Sequence, residues 1–232
     1  VLLMMQEWND FLVKVDLGFK SEVDECCIIK LQHIVFALQS VSGAVKSNVD
    51  IPLPDSLTQA VDTRINYFRA GRICSIEGIG ALLHDRNDIL SPNMNTKGAP
   101  IWPQGIIGSI SHSGKFGMGI FAKSGSFSGL GIDFEMVDRS QSVLELAEFI
   151  CTEKEIQILN QGHTSEEAVL ILFSSKESIY KAINQSIDCD MSFHDATLVE
   201  INEKQLKFRL SYSVIKHFTH KSEIEVFFHK NS

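Results

Sequence analysis

The sequence lacks any apolar run long enough to cross a membrane. Runs such as Val1–Met5 and Ile34–Leu38 are far shorter than the roughly 20 residues that span a bilayer. Val1–Met5 has no basic flank and leads directly into Glu7 and Asp10, so it does not match a signal peptide. We therefore expect no transmembrane segment, and the valine at position 1 predicts a trimmed start.

Positive charge is in deficit. The 232 residues include 21 Lys and Arg against 29 Asp and Glu, which gives a formal net charge of −8. A protein that neutralises the phosphates of a duplex needs the opposite balance. The composition therefore disfavours nucleic acid as a partner.

Cysteine is scarce, and its spacing is irregular. The chain has 5 cysteines, an odd number, and they lack the paired spacing of a structural metal site. A disulfide framework is disfavoured for the same reason, and such chains belong in a reducing compartment. We therefore expect a cytoplasmic protein.

Apolar residues, by contrast, are abundant enough for packed cores. The chain is 44% hydrophobic and 22% charged, which argues against a disordered chain. Its length allows one large domain or two small ones at roughly 150 residues per domain. Strands clustered in hairpins and mixed with helices predict an α+β fold, and the Ser-Gly-Ser sequence at 124–126 predicts halves 1–125 and 126–232.

Hydrophobic periodicity and turn residues place the individual elements. Residues 85–104 are rich in Asp, Asn, Pro and Gly, which predicts a long functional loop. The predicted elements are a strand Phe11–Leu17, a helix or strand Leu31–Val41, a helix from Asp55 or Ser56 to about Leu83, strands Ile106–Ser113, Phe116–Ala122 and Leu130–Glu135, helices Val143–Ile150 and Ser165–Ile183, and strands near Ala196–Ile201, Leu206–Tyr212 and Glu223–Phe228.

The segment Gly131–Glu135 places two carboxylates one residue apart. On a strand, Asp133 and Glu135 share one face while the residues between and beside them face the core. Carboxylates held that close repel each other, and a hard divalent cation with oxygen ligands relieves the repulsion. The pattern indicates either a metal site or an edge strand with a solvated acidic face.

The segment Phe173–Lys181 lies inside a helical pattern. Glu177 and Lys181 are four residues apart and share one helix face. Taken alone, such a pair is typical of a helix surface and contributes only about 0.3–0.5 kcal/mol.

The segment Gly108–Ser113 contains a serine next to a histidine. Side chains adjacent on a strand point to opposite faces, so Ser111 and His112 do not form a nucleophile and its base. A histidine at a strand end beside hydroxyl groups suits a phosphate ligand. The alternative is a partly buried histidine with a local hydrogen bond.

Arginines recur on the helix predicted before Leu83. Arg69 and Arg72 are three residues apart with Gly71 between them, and Arg64 precedes them. Because guanidinium groups bind phosphate through two parallel hydrogen bonds, the pair indicates a phosphorylated ligand or a solvated helix face.

In this order and at these separations, the segments resemble the 4′-phosphopantetheinyl transferases, and more narrowly the surfactin-type and enterobactin-synthase-component-D-type enzymes. Each segment is a weak signal alone, but the ordered set is specific. The resemblance is carried by Tyr67–Arg72, Lys97–Pro103, Gly108–Ser113, Gly131–Glu135, Phe149–Glu155 and Phe173–Lys181.

The resemblance implies two similar α+β halves related by pseudo-twofold symmetry, with coenzyme A bound in the cleft between them. The first half would hold the 3′-phosphate and adenine of coenzyme A, and the second would hold the metal and the catalytic groups. The implied Mg²⁺ ligands are Asp133, Glu135 and Glu177. The implied coenzyme A contacts are Arg72 and His112 at the 3′-phosphate, Lys97 and Ser111 nearby, Arg69 and Arg64 more weakly, and Asp133, Lys176 and Lys181.

The reaction implied by the resemblance joins coenzyme A to a protein. A serine hydroxyl of an apo carrier protein attacks the β-phosphorus of coenzyme A, which attaches the phosphopantetheine arm and releases 3′,5′-ADP. Glu177 would act as the base, directly or through a water on the metal, because a serine hydroxyl is a poor nucleophile. Lys181 would stabilise the pyrophosphate, with Lys176 assisting.

The implied partner is an apo peptidyl, aryl or acyl carrier protein of siderophore or other nonribosomal peptide biosynthesis, and the enzyme is expected to be a monomer. Two rival functions remain open on the sequence. A Mg²⁺-dependent phosphohydrolase or nucleotidyltransferase could use the same three carboxylates, and a binding module would use them without catalysis.

Overall fold

The computed structural model describes residues 25–85, 89, 91–136, 143–184, 190–202, 205–217 and 222–229. The described chain forms two compact units, the first ending at Phe134 and the second beginning at Glu135. Within these ranges, no helix combines the length and the apolar character needed to cross a bilayer. The predicted strand Phe11–Leu17 lies outside the described residues.

The first unit contains an antiparallel four-stranded sheet in the order β1-β2-β4-β3, together with two helices and a 3₁₀ turn. Its elements are β1 Cys27–Lys30, β2 Val35–Ser40, α1 Val41–Lys46, the 3₁₀ turn Asp55–Leu57, α2 Asp62–Leu83, β3 Ile106–Ser113 and β4 Phe116–Lys123.

The second unit contains an antiparallel three-stranded sheet in the order β5-β6-β7, together with four helices and a 3₁₀ turn among the residues described there. Its elements are α3 Ala147–Ile150, α4 Glu153–Leu159, α5 Ser165–Ile183, the 3₁₀ turn Phe193–Asp195, β5 Ala196–Asn202, β6 Gln205–Leu210, α6 Tyr212–Ile215 and β7 Glu223–Phe227.

The α+β class is therefore confirmed, since each unit combines helices with an antiparallel sheet. The pseudo-twofold symmetry and the functional halves 1–125 and 126–232 stay predictions.

The core of the first unit forms where α2 packs against the sheet. Every residue of β2 is buried, including the polar Gln39 and Ser40 at its end. Burial on both faces explains why the apolar run Val35–Leu38 does not separate strand from helix on periodicity alone. Two glycines permit the close approach of helix and sheet. A Cβ at Gly78 would lie 2.3 Å from the Phe121 ring, and one at Gly117 would lie 3.0 Å from Ala70.

The hairpin of β3 and β4 is confirmed as predicted. The two strands pair in register from Ile106↔Lys123 to Ser113↔Phe116. Gly114 in the connecting turn has a φ of 56°, a left-handed conformation that glycine adopts without steric cost. The turn thereby fixes the register that places the serines and the histidine of β3.

The predicted start of the long helix is wrong, although its end at Leu83 is confirmed. Residues Asp55–Leu57 form a separate 3₁₀ turn, and α2 begins only at Asp62. The backbone N–H groups of Thr58 and Ala60 bond to carbonyls three residues earlier. This tight winding closes the turn before the longer helix begins.

The predicted helix Ser165–Ile183 is confirmed at both ends. Thr164 and Glu167 form a capping box at its start, the signature that a helix N-terminus favours. Sequence analysis missed α4, although Thr152 and Glu155 form the same capping box there. The three strands of the second sheet are also confirmed, with Tyr212 beginning α6 instead of ending β6.

Candidate active site

The acidic segment after β4 is attached to β3 through serine hydroxyl groups. The backbone N–H of Ile132 donates to Ser109 Oγ at 3.1 Å, and that of Phe134 donates to Ser111 Oγ at 3.3 Å. The two bonds advance by two residues on each side, so the segment follows β3 in the same direction. The predicted strand Leu130–Glu135 is wrong, because the segment belongs to neither sheet. Its backbone N–H groups donate to serine side-chain oxygens of β3, whereas in a sheet they would donate to backbone carbonyl oxygens.

Ser111 also orients one of the predicted metal ligands. Its hydroxyl donates to Asp133 Oδ1 at 2.8 Å while accepting the N–H of Phe134. Ser111 is buried and Asp133 is half-buried, so the hydroxyl fixes the carboxylate on the side of β3. The coenzyme A contact predicted for Ser111 stays a prediction, and the contact with Asp133 is one that sequence analysis missed.

Arg72 is an almost completely buried cation. Its side chain is 1% exposed, and its Cζ lies 4.7 Å from the centre of the Phe68 ring. Burial lowers the pKa of Arg72 to about 10, because the charged form loses hydration. Its Nε and Nη1 atoms have no hydrogen-bond partner among the described residues. A bound anion would satisfy both the charge and the donors.

His112 lies at the exposed end of β3 and stacks on a tyrosine of α2. The rings of Tyr67 and His112 are 4.8 Å apart between centroids, with an angle of 5° between their planes. The Tyr67 hydroxyl donates to the Gly114 carbonyl oxygen at 2.8 Å. Sequence analysis missed this pairing, because the two rings come from elements more than 40 residues apart.

The other predicted coenzyme contacts of the first unit are more accessible. Arg69 is half-buried on α2, and Arg64 is exposed nearer its start. Lys97 is exposed in a loop that Asn95 organises, since Asn95 Oδ1 accepts the N–H groups of Lys97 and Ala99 at 3.0 and 2.9 Å. The geometry places Lys97 on a defined turn, and its coenzyme role stays a prediction.

Lys176 lies in the interior of the second unit. Its Nζ is 2.8 Å from Glu155 Oε1 and donates to the Ile150 carbonyl oxygen at 2.8 Å, and both charged side chains are 1% exposed. Glu155 also accepts the N–H of Thr152 at 2.8 Å and that of Leu198 at 2.9 Å. This geometry gives Lys176 a structural role that sequence analysis missed, while its coenzyme contact stays a prediction.

The remaining predicted catalytic groups belong to the second unit. Glu177 and Lys181 are half-buried on one face of α5, and Glu135 is half-buried where the unit begins. Asp133 belongs to the first unit. Within the part of the chain that the structure describes, no group of three or more His, Cys, Asp or Glu side chains forms a metal-binding cluster. The three-carboxylate metal site stays a prediction.

Comparison with known families matches both units. The family model of the 4′-phosphopantetheinyl transferase superfamily matches residues 129–230, and that of the 4′-phosphopantetheinyl transferase N-terminal domain matches residues 53–122. The chain belongs to the 4′-phosphopantetheinyl transferase family. All the predicted site residues of this family member fall within the two matched ranges.

Several curated relatives are similar to this phosphopantetheinyl transferase family member. Enterobactin synthase component D of Salmonella typhi is 29% identical over 161 residues, which cover 69% of this chain and 65% of the relative. Enterobactin synthase component D of Escherichia coli O157:H7 is 32% identical over 108 residues, which cover 46% of this chain and 50% of the relative. The 4′-phosphopantetheinyl transferase Svp of Streptomyces mobaraensis is 27% identical over 143 residues, which cover 61% of this chain and 57% of the relative. The chain thus spans less than two thirds of each relative's length.

Proposed function

We propose that this protein transfers the 4′-phosphopantetheine arm of coenzyme A to a serine of an apo carrier protein and releases 3′,5′-ADP. Membership of the family supports the reaction type. The observation that carries the proposal is the buried Arg72, whose Nε and Nη1 atoms have no hydrogen-bond partner among the described residues. A buried cation with donors available is suited to a phosphate.

The first unit would bind the phosphorylated nucleotide end of coenzyme A. Arg72 would donate to the 3′-phosphate through its guanidinium, and the exposed His112 would add a second donor when protonated. Lys97 and Arg69 would contribute positive charge around the nucleotide. The residues present fit the 3′-phosphate, because a bound anion would compensate the Arg72 guanidinium for the hydration that it loses on burial.

Asp133, Glu135 and Glu177 would hold a divalent cation such as Mg²⁺. Their donor atoms are all carboxylate oxygens, the ligands that hard cations prefer. The hydroxyl of Ser111 holds Asp133 at 2.8 Å, in the manner of the outer contacts that orient metal ligands. When bound, the cation would neutralise negative charge on the pyrophosphate.

Glu177 and Lys181 would perform the chemistry from adjacent turns of α5. The Glu177 carboxylate would accept the proton of the carrier serine as its oxygen attacks the β-phosphorus of coenzyme A. Lys181 would compensate the negative charge that accumulates on the departing 3′,5′-ADP. The helical repeat fixes their spacing, because residues four apart lie on the same helix face.

The proposed acceptor is an apo peptidyl, aryl or acyl carrier protein of siderophore or other nonribosomal peptide biosynthesis. The relatives named enterobactin synthase component D support this choice. A carrier brings the nucleophilic serine, so the pantetheinyl transfer needs no nucleophile from this chain. A monomeric, cytoplasmic enzyme forms part of the proposal, and sedimentation of the purified protein tests the monomer.

The decisive experiment combines the protein with coenzyme A, Mg²⁺ and an apo carrier. Mass spectrometry should show one added phosphopantetheine on the carrier serine. We expect Glu177→Gln to lose most turnover while unfolding at the wild-type temperature, whereas Glu153→Gln, at an exposed glutamate of α4, should retain full turnover. Release of 3′,5′-ADP without a carrier would instead favour the hydrolase, and full activity of Glu177→Gln would remove its role as base.

A further inference from the structure

Two adjacent aromatic residues of α2 contact the two side chains that the proposal assigns to the coenzyme A 3′-phosphate. Tyr67 stacks on His112, and Phe68 lies against Arg72. The sequence patterns and the proposed chemistry give neither aromatic residue a role.

Tyr67 is held in place by contacts of both its ring and its hydroxyl group. Its ring lies parallel to the His112 ring at 4.8 Å and 5°, and its hydroxyl donates to Gly114 in the turn after β3 at 2.8 Å. His112 is exposed at the end of that strand. An exposed imidazole loses rotamer freedom when it binds a ligand, and the stack with Tyr67 removes part of that freedom beforehand.

Phe68 stabilises Arg72 without using its hydrogen-bond donors. The two residues are four apart on α2, and the Arg72 Cζ lies 4.7 Å from the Phe68 ring centre. An aromatic ring attracts the charge of a guanidinium and offers no lone pair to its N–H bonds. The contact therefore supports the buried charge and leaves Nε and Nη1, which have no partner among the described residues, available to an anion.

Close packing of α2 on the sheet makes the contact between Tyr67 and His112 possible, whereas Phe68 and Arg72 meet within α2 itself. A Cβ at Gly117 would lie 3.0 Å from Ala70, which is tighter than most Cβ contacts, so glycine favours this separation. Gly117 pairs with His112 across β3 and β4. The glycine thus brings the helix turn that carries Tyr67 and Phe68 beside the strand end that carries His112.

We propose that Tyr67 and Phe68 are positioning residues that hold His112 and Arg72 in place for the 3′-phosphate of the nucleotide. The inference rests on the proposed function and deepens it. It identifies two side chains that touch no substrate atom in the proposal and yet determine selectivity for a 3′-phosphorylated nucleotide.

The test is calorimetric titration of the full chain with 3′,5′-ADP and with 5′-AMP, two probes that differ by the 3′-phosphate. We expect Tyr67→Leu and Phe68→Leu each to lower the affinity for 3′,5′-ADP about tenfold and to leave that for 5′-AMP unchanged. Tyr67→Phe and Phe68→Tyr keep the rings and should stay within about threefold of wild type. Tyr212→Leu, at a tyrosine 81% exposed in the second unit, is the matched control and should change neither affinity.

The outcomes separate this inference from the proposed function. If the wild type prefers 3′,5′-ADP and both leucine variants keep that preference, the inference alone is overturned. If the wild type binds both probes equally, the 3′-phosphate site itself is overturned. Equal losses for both probes would also overturn the inference, since they indicate a general structural effect.

A second measurement covers a leucine variant that does not fold. In NMR spectra of the wild type, 3′,5′-ADP should shift the ring signals of Tyr67 and His112 together, and 5′-AMP should shift them less. Ring signals that respond identically to the two nucleotides would contradict the positioning role.

Discussion

Replacing Lys176 with methionine should destabilise the second unit strongly. Removing one partner of a buried ion pair costs about 3–5 kcal/mol, because the other charge stays buried without compensation. Glu155 is 1% exposed on its side chain but accepts hydrogen bonds from Thr152 and Leu198, so we expect the lower end, about 3 kcal/mol. For a chain of this size, that corresponds to a fall in Tm of about 6–12 °C.

The assay is thermal and urea unfolding followed by circular dichroism. Lys207→Met is the matched control, because Lys207 forms an ion pair with Glu200 at 2.9 Å with side chains 32% and 48% exposed. Such exposed pairs contribute about 0.2–1 kcal/mol. The double variant Glu155→Gln with Lys176→Met removes both charges and keeps an acceptor for Leu198, so it should be more stable than Lys176→Met alone.

Two results would refute this reasoning. One is a Lys176→Met protein that unfolds at the same temperature as Lys207→Met. The other is a double variant no more stable than the single one, since relief of the buried carboxylate charge is the source of the expected recovery. Normal stability combined with weakened coenzyme A binding would instead support the coenzyme contact that the sequence predicts for Lys176.

Two further predictions concern packing and acid stability. Gly78→Ala should destabilise the first unit by about 1–3 kcal/mol, because the added Cβ would lie 2.3 Å from Phe121; Gly162→Ala, with no atom within 4 Å of the added Cβ, should cost far less in urea unfolding. Burial acts to raise the pKa of Asp195, but hydrogen bonds from surrounding serines outweigh it and lower the pKa to about 2. The pKa is thus below that of the unfolded chain, so the stabilisation by Asp195 is present above about pH 4 and is lost as the pH falls toward 2. Asp195→Asn should make the free energy of unfolding depend less on pH over this acidic range. An unchanged pH dependence in the variant would contradict the lowered pKa of Asp195.

Local sequence was sufficient where each signal lies within one element. The helix Ser165–Ile183 has its start encoded by Thr164 and Glu167, and the hairpin turn has its conformation encoded by Gly114. Because such signals act over a few residues, they depend little on the elements that pack around them. The start of α2 was misplaced because the polar residues at positions 55 and 56 are typical of a helix start, whereas here they lie inside a separate 3₁₀ turn that follows Pro54.

The acidic segment shows where local pattern misleads. Alternation at Asp133 and Glu135 predicts a strand, yet the segment bonds to Ser109 and Ser111 side chains and joins neither sheet. Side chains that alternate with a period of two indicate an extended backbone. They do not indicate whether its N–H groups donate to backbone carbonyls or to side-chain hydroxyls.

The amino-acid sequence by itself determined the α+β class, most element positions and the ordered segments that indicate the family, because these depend on short-range periodicity and composition. Only the tertiary structure decided that Lys176 pairs with Glu155 inside a core, that Arg72 is buried under Phe68, and that Tyr67 stacks on His112. Exposure and charge pairing depend on which distant element packs against a residue. The identity of the residue alone therefore does not separate a buried cation from a solvated one.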